Sequence, residues 1–278
     1  MNPIDWESCE DFEVMLLNLR DSRDILAWSR MGTKMTLLNR IEHWQQQAAR
    51  IMPPENTAIL PARGGLPGPA FFPEGFGIQN PLSEKCPTVM AIGHNFGCDN
   101  YRNEIDAAGR EDDKATWRNL RRLLADAEVG IESCYMTNWF VGLQPGDKQV
   151  GEFLAHPSPR YEAECRQLLL DQIEGLKPSV ILLLGLPVVV RGYGIMPALR
   201  PWAGAPNWSA VDSSSIGPVA FDVEIPGTGV RANIVALLHP SFSPSNQRYR
   251  RSRFPVPKPE VEMIRRAVTA VCSPPDAQ

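Results

Sequence analysis

The six cysteines stand singly, at Cys9, Cys86, Cys98, Cys134, Cys165 and Cys272, and no two of them form a C-x-x-C pair. That spacing excludes a zinc ribbon and a disulfide framework, and it suits a reducing compartment. Long apolar runs are missing as well: none approaches the roughly 18 residues that a membrane-crossing helix needs. The opening MNPIDWESCEDFEV is acidic where a secretory leader would be basic, so we expect a cytoplasmic protein with no membrane partner. Neither G-x-G-x-x-G nor a Walker lysine motif occurs, which removes the common loops of nucleotide enzymes. No internal repeat or low-complexity tract interrupts the chain.

Strong net charge is also lacking. A balance of -4 argues against wholesale binding of a polyanion, which depends on Lys and Arg displacing counterions. The distribution argues the other way: the first 24 residues are acidic, whereas Arg248, Arg250, Arg251, Arg253 and Lys258 follow one another with no acid between them. A local patch of this kind can meet a polyanion whatever the total charge, although such runs commonly serve as solvated surface.

What is present organises the 278 residues into three parts. Residues 1–51 read as a helical N-terminal arm, with Met15, Leu16, Leu19, Ile25, Leu26, Leu37, Leu38 and Ile41 at three and four spacings. Residues 52–87 are rich in Pro and Gly and read as a linker that packs on the core through Phe71, Phe72 and Phe76. Residues 88–278 carry the core. Four short apolar runs, TVMAIG (88–93), SCYMTN (133–138), SVILLLG (179–185) and ANIVALLH (232–239), have strand length and continuous burial. Helical periods separate or follow them at 117–127, 160–176 and 261–271, and 218–231 reads as a hairpin before the last strand. The pattern predicts a three-layer α/β/α sandwich around a central four-stranded, mainly parallel sheet.

Open α/β sheets bind ligands beyond the carboxyl ends of their strands, so the polar residues there are the candidates. The first run enters Gly93-His94-Asn95-Phe96-Gly97, the second ends at Thr137-Asn138, and the last ends at His239-Pro240-Ser241. A second His-Pro-Ser, at 156–158, precedes a helix, where Ser158 or Pro159 marks the helix start rather than a site.

The order GHNFG, YMTN, HPSFSPSN resembles the uracil-DNA glycosylase superfamily over roughly residues 88–270. EAECRQLLLDQIEGLKPSVILLLG is similar to the helix and strand between the second and third motifs of that superfamily. The resemblance implies a DNA glycosylase that everts a base and hydrolyses its N-glycosidic bond. It makes Asn95 the residue that orients water and His239 the donor to the base's carbonyl oxygen as charge builds there. Asn138 would read the base edge, and its amide can pair with uracil in one orientation and with cytosine in the other. Each has a plain structural counterpart: an Asx turn at Asn95, a satisfied histidine at 239, a bonded loop residue at 138.

The resemblance implies DNA as the partner, single- or double-stranded, and on a duplex it places SFSPSNQRYRRSR in the minor groove. Ser241, Ser243, Asn246, Arg248, Arg250 and Arg251 would meet the backbone and Phe242 would wedge into the stack, unless Phe242 packs on the linker phenylalanines. His94 and Phe96 depart from the family pattern. Gly97 stands where uracil-strict members carry a bulky Tyr, which predicts an open wall near the 5-position. Uracil and 5-modified pyrimidines, including glycosylated hydroxymethylcytosine of phage DNA, are therefore both expected substrates, in repair or in defence. Tyr101 is the first choice for stacking the base, Phe96 the second, and Trp117 belongs to the core. The motifs hold no Lys for a lyase step, Cys165 has no N-terminal cysteine pair for a cluster, and a monomer without metal or cofactor is expected. The rival expectation is a catalytically silent nucleic-acid binder on the same fold. An unrelated small-nucleotide enzyme would have no use for the arginine-rich segment.

Overall fold

The computed structural model describes residues 37–53, 59, 89–108, 115–131, 134–147, 158–241 and 244–272. These belong to one compact unit that begins at Leu37. Most of the expected N-terminal arm, nearly all of the linker, and His156 lie outside the described residues.

Helix α1 (Leu37–Arg50) is the described end of the expected arm, and it packs on the core rather than projecting from it. Ile41, Trp44 and Ala48 share one helical face and are buried, with Trp44 edge-on to Tyr135 at 5.8 Å. Arg40 donates to the Gly175 carbonyl at 2.7 Å, which pins the helix to its neighbour. Residues 37–50, expected as the end of the arm, group with the core unit.

The sheet runs through β1 (Val89–Gly93), β2 (Cys134–Asn138), β3 (Val180–Leu184), β4 (Val219–Ile225) and β5 (Val230–Leu237). Their order is β2-β1-β3-β5-β4, with parallel pairing throughout except between β4 and β5. The sheet thus has five strands, not the expected four. The hairpin seen in the sequence is real but its second arm is the last core strand itself, so β4 becomes an antiparallel edge. That edge is irregular: its register shifts between Ala220 and Val223, and Asp222 sits at φ 50° and accepts from Arg231 at 2.7 Å. A bulge and exposed charges discourage further strand addition.

Every residue of the first three strands is buried, because helices cover both faces of the sheet. Met90, Ile92, Tyr135, Ile181, Leu183 and Ile234 face α1 and α4 (Pro159–Leu176). Val89, Ala91, Met136, Leu182, Val235 and Leu237 face α3 (Ala115–Asp126) and α8 (Pro259–Cys272). Strand alternation sorts the side chains between two separate cores. At the head of α4, Ser158 caps the helix by accepting from the Tyr161 N–H at 3.3 Å, with Pro159 in the first turn. Among the described residues the other α-helices are α2 (Asp99–Ala108), α5 (Leu186–Arg191), α6 (Trp208–Asp212) and α7 (Pro244–Arg253). Among the described residues, no helix is long and apolar enough to cross a membrane.

Candidate functional site

Four parallel strands end on one edge, and three of the sequence motifs end with them. Asn138 closes β2 opposite Gly93, the last residue of β1. Leu184 of β3 pairs with Leu237 of β5, and the next residues are Gly185 and then, two past Leu237, His239. Neighbouring strands lie about 4.8 Å apart, so the backbones at Asn138 and His239, separated by two central strands, stand about 14 Å apart. Gly93 closes one central strand and Gly185 follows the other, so neither position adds a side chain between the two polar ends. Gly185 holds φ 91°, and a Cβ there would sit 3.4 Å from the His239 Cβ. The Gly185 N–H donates to the Leu237 carbonyl at 2.8 Å, fixing one strand end against the other.

Asn138 is 4% exposed, and both Oδ1 and Nδ2 are without a hydrogen-bond partner among the described residues. The indole Nε1 of Trp139, next in the chain, is likewise buried without one. Sealing an amide from water without a partner costs about 1–3 kcal/mol, a cost that no group among the described residues offsets. By contrast its neighbour Thr137 donates to Gln172 Oε1 at 2.8 Å on the other face of the sheet.

His239 is exposed on its solvent side. Its Nδ1 accepts from the Ser241 N–H at 3.2 Å and lies 2.8 Å from Ser241 Oγ. A ring nitrogen that accepts a backbone N–H carries no proton, so we assign the proton of the neutral ring to Nε2. The protein packed against its inner side partly desolvates the ring and lowers its pKa, which favours that neutral form. Asn119 of α3 donates to the Pro240 carbonyl at 2.8 Å, and Glu260 Oε2 of α8 accepts from the Leu238 N–H at 3.1 Å. Two helices therefore anchor the segment that carries His239.

The loop after β1 is tied to the loop after β2: Trp139 N–H donates to Gly93 at 2.9 Å and Phe140 N–H to His94 at 3.0 Å. His94 meets the Phe140 ring edge-on at 5.6 Å. Burial, then the positive charge of Arg191, then His239 lower the His94 pKa to about 4, so the first and last motifs feel each other electrostatically. Asn95 is half-buried and its Oδ1 accepts from the Gly97 N–H at 3.4 Å, the Asx turn that served as the plain alternative. Oδ1 retains a second lone pair. Phe96 is 3% exposed and part of the core, which removes it as a freely available stacking ring. The open wall expected at Gly97 is corrected: a Cβ there would lie 3.2 Å from Tyr101 Cδ1, so the Tyr101 ring already fills that space. Tyr101 stands in the first turn of α2, and φ 83° at Gly97 folds the loop so that the ring lies over it. Trp117 is 1% exposed and in the core, as expected.

Of the groups expected on the DNA backbone, Ser241, Arg248 and Arg251 are exposed and Asn246 is half-buried. Phe242 and Ser243 lie outside the described residues. From Pro244 the expected loop is the helix α7. Its turn overturns Arg250, which is 1% exposed: Nη2 lies 3.2 Å from Asp212 Oδ1 and 3.1 Å from the Ala236 carbonyl, and Nη1 lies 3.2 Å from Glu260 Oε1. Trp208 backs the guanidinium at 4.6 Å. Arg250 is a structural cation, not a phosphate contact.

Sequence reasoning passed over Arg191, Phe140, Tyr161, Asn119 and Glu260. Only Arg191 carried a local signal, closing a one-turn helix directly after a strand-end glycine. The others act through contacts across the fold. No protein-family model matches this chain, and no curated protein does either.

Proposed function

We propose that this chain is a monofunctional DNA glycosylase with a uracil-DNA glycosylase-like α/β/α core. In this reading it flips a pyrimidine, uracil or a 5-modified one such as glycosylated hydroxymethylcytosine of phage DNA, and hydrolyses its N-glycosidic bond to leave an abasic site, in repair or in antiviral defence. One observation carries the reading: the sealed Asn138 carboxamide offers two donors and an acceptor with no partner among the described residues, on the edge that also bears His239.

The chemistry follows from the groups at hand. The base edge pairs with Asn138 once the surrounding loops part to admit it, relieving the unmet hydrogen bonds. His239 Nε2–H donates to the pyrimidine carbonyl oxygen as negative charge builds on the departing base, and a neutral ring suffices for that. Asn95 holds the attacking water through the lone pair left free by its turn. Tyr101, packed over Gly97, bounds the pocket on the side of the 5-position. Exposed Arg248 and Arg251 take phosphates and the protein acts alone, without cofactor.

A second reading, a catalytically silent nucleic-acid binder, draws support from the Asn95 Oδ1 already engaged with Gly97. Oligonucleotides carrying uracil, hypoxanthine, 5-hydroxymethylcytosine or its glucosylated form, incubated with the protein and then treated with alkali, separate the two. Strand scission on at least one substrate is expected, and it should disappear in Asn138→Ala and His239→Ala. Binding without scission on every base supports the silent reading.

A further inference from the structure

Arg191 ends α5 beside the strand edge, half-buried, and its guanidinium lies 5.3 Å over the Phe140 ring. That ring is itself fixed: Tyr161 stacks on it at 6.1 Å and 5° and donates its hydroxyl to the Val141 carbonyl at 2.6 Å, while His94 closes its edge. A planar cation resting on a clamped aromatic face is pre-set in orientation. Its side chain reaches one carbonyl, that of Pro187, from Nη1 at 3.4 Å. Among the described residues no carboxylate lies within ion-pair distance of it, whereas Arg160, Arg231, Arg250, Lys258 and Arg265 each have one. Among the described residues no other partner engages its fork, and the His94 imidazole stands close enough to feel its charge. A second observation on the same edge points to a ligand: the buried, unpartnered Asn138 carboxamide.

We propose that Arg191 binds a phosphate group of the nucleotide whose base reaches Asn138. Its planar fork suits two oxygens of a phosphate, and with no carboxylate beside it among the described residues its charge is left for that anion. The base half of this statement rests on the glycosylase reading; the phosphate half does not. The phosphate can belong to a strand as a phosphodiester or to a free nucleotide as a terminal group.

The test compares wild type, Arg191→Gln and Arg191→Lys by calorimetry against uridine, uridine monophosphate and a short uracil-containing oligonucleotide. Loss of charge-assisted hydrogen bonds should weaken the phosphate-bearing probes about ten- to a hundredfold in the Gln variant and less in the Lys variant. Uridine affinity should change less than about twofold, by the same logic. Weakening of the oligonucleotide alone assigns the site to a strand phosphodiester; weakening of the mononucleotide as well assigns it to a terminal phosphate too. A second readout is the His94 ring resonance. Saturating inorganic phosphate should raise the His94 pKa in wild type by neutralising Arg191, and leave it unmoved in Arg191→Gln. Unchanged affinity for both phosphate-bearing probes, or an equal loss for uridine, overturns the proposal, as does a phosphate effect on His94 that persists without Arg191. Failure of uridine to bind wild type, with the phosphate response intact, sinks the base reading alone.

Discussion

Arg248 and Arg250 lie two residues apart on α7, yet one stands in solvent and the other is sealed between Asp212, Glu260 and the Ala236 carbonyl. Arg191, on the other side of the strand edge, is the reverse case, half-buried but without a carboxylate among the described residues. The three show that an arginine's task follows from what the fold places around it. On a helix, residues two apart face away from each other. One member of a basic run therefore turns inward wherever the opposite face meets a core. Arg250 is tolerated there because its charge is matched on both sides; an exposed neighbour needs no match and is free to meet a polyanion.

The comparison breaks most decisively at Arg250. Arg250→Ala should destabilise the fold by about 3–5 kcal/mol, since it strands two buried carboxylates, and urea unfolding would measure it. Stability within about 0.5 kcal/mol of wild type would return Arg250 to the surface. Next in size is the edge proposed to be catalytic: on that proposal His239→Ala should cost about 10²–10³-fold in turnover with the fold intact, as removal of a charge-stabilising donor does. Asn138→Ala should abolish base binding while leaving stability equal or higher, because an unpartnered buried amide is deleted. A clear loss of stability would mean that this amide has a partner after all.

The pH dependence sharpens the contrast between matched and unmatched groups. Glu260 is buried, and loss of water pushes its pKa up to about 7 despite Arg250. A carboxyl raised in the folded state adds stability below its unfolded value near 4.5, and that contribution is lost as pH rises to about 7. His94 runs opposite: with its pKa near 4 against 6.5 when unfolded, stability falls as pH drops between those values. Glu260→Gln should remove the first slope and His94→Gln the second, read from denaturation midpoints between pH 4 and 8. The smallest effect is expected at the exposed arginines. Replacing Arg248 and Arg251 by Ala should leave stability within about 0.5 kcal/mol of wild type. It should reduce the slope of log affinity for DNA against log salt by about 0.9 per lost phosphate contact.

Much of the architecture was legible in the chain. VILLL and VMAIG are continuous aliphatic runs between helical periods, and that alone calls for a covered parallel strand. The strand-end positions of Asn138 and His239 came with those runs, since a strand's last residue is set by where its apolar stretch stops. The fifth strand was missed because its alternation, half exposed and broken by a bulge, looks like a turn-linked hairpin rather than part of the sheet. Helix α7 was missed because SPSNQRYRRSR has almost no apolar stripe; its one inward face is an arginine. The open wall inferred at Gly97 failed for a related reason, since the glycine showed that a side chain was absent but not that Tyr101 would fill the space.

What the sequence determined by itself is the succession of strands and helices and the polar residues at their ends, because burial period and chain punctuation act over a few neighbours. Packing decided the rest: the clamp on Arg250, the cover over Gly97, the ring beneath Arg191 and the isolation of the Asn138 amide. Apart from the cover over Gly97, which turns on how a tight loop enters its helix, each depends on residues well separated along the chain or on which face of a helix turns inward, and such pairings exist only once the layers have closed on one another.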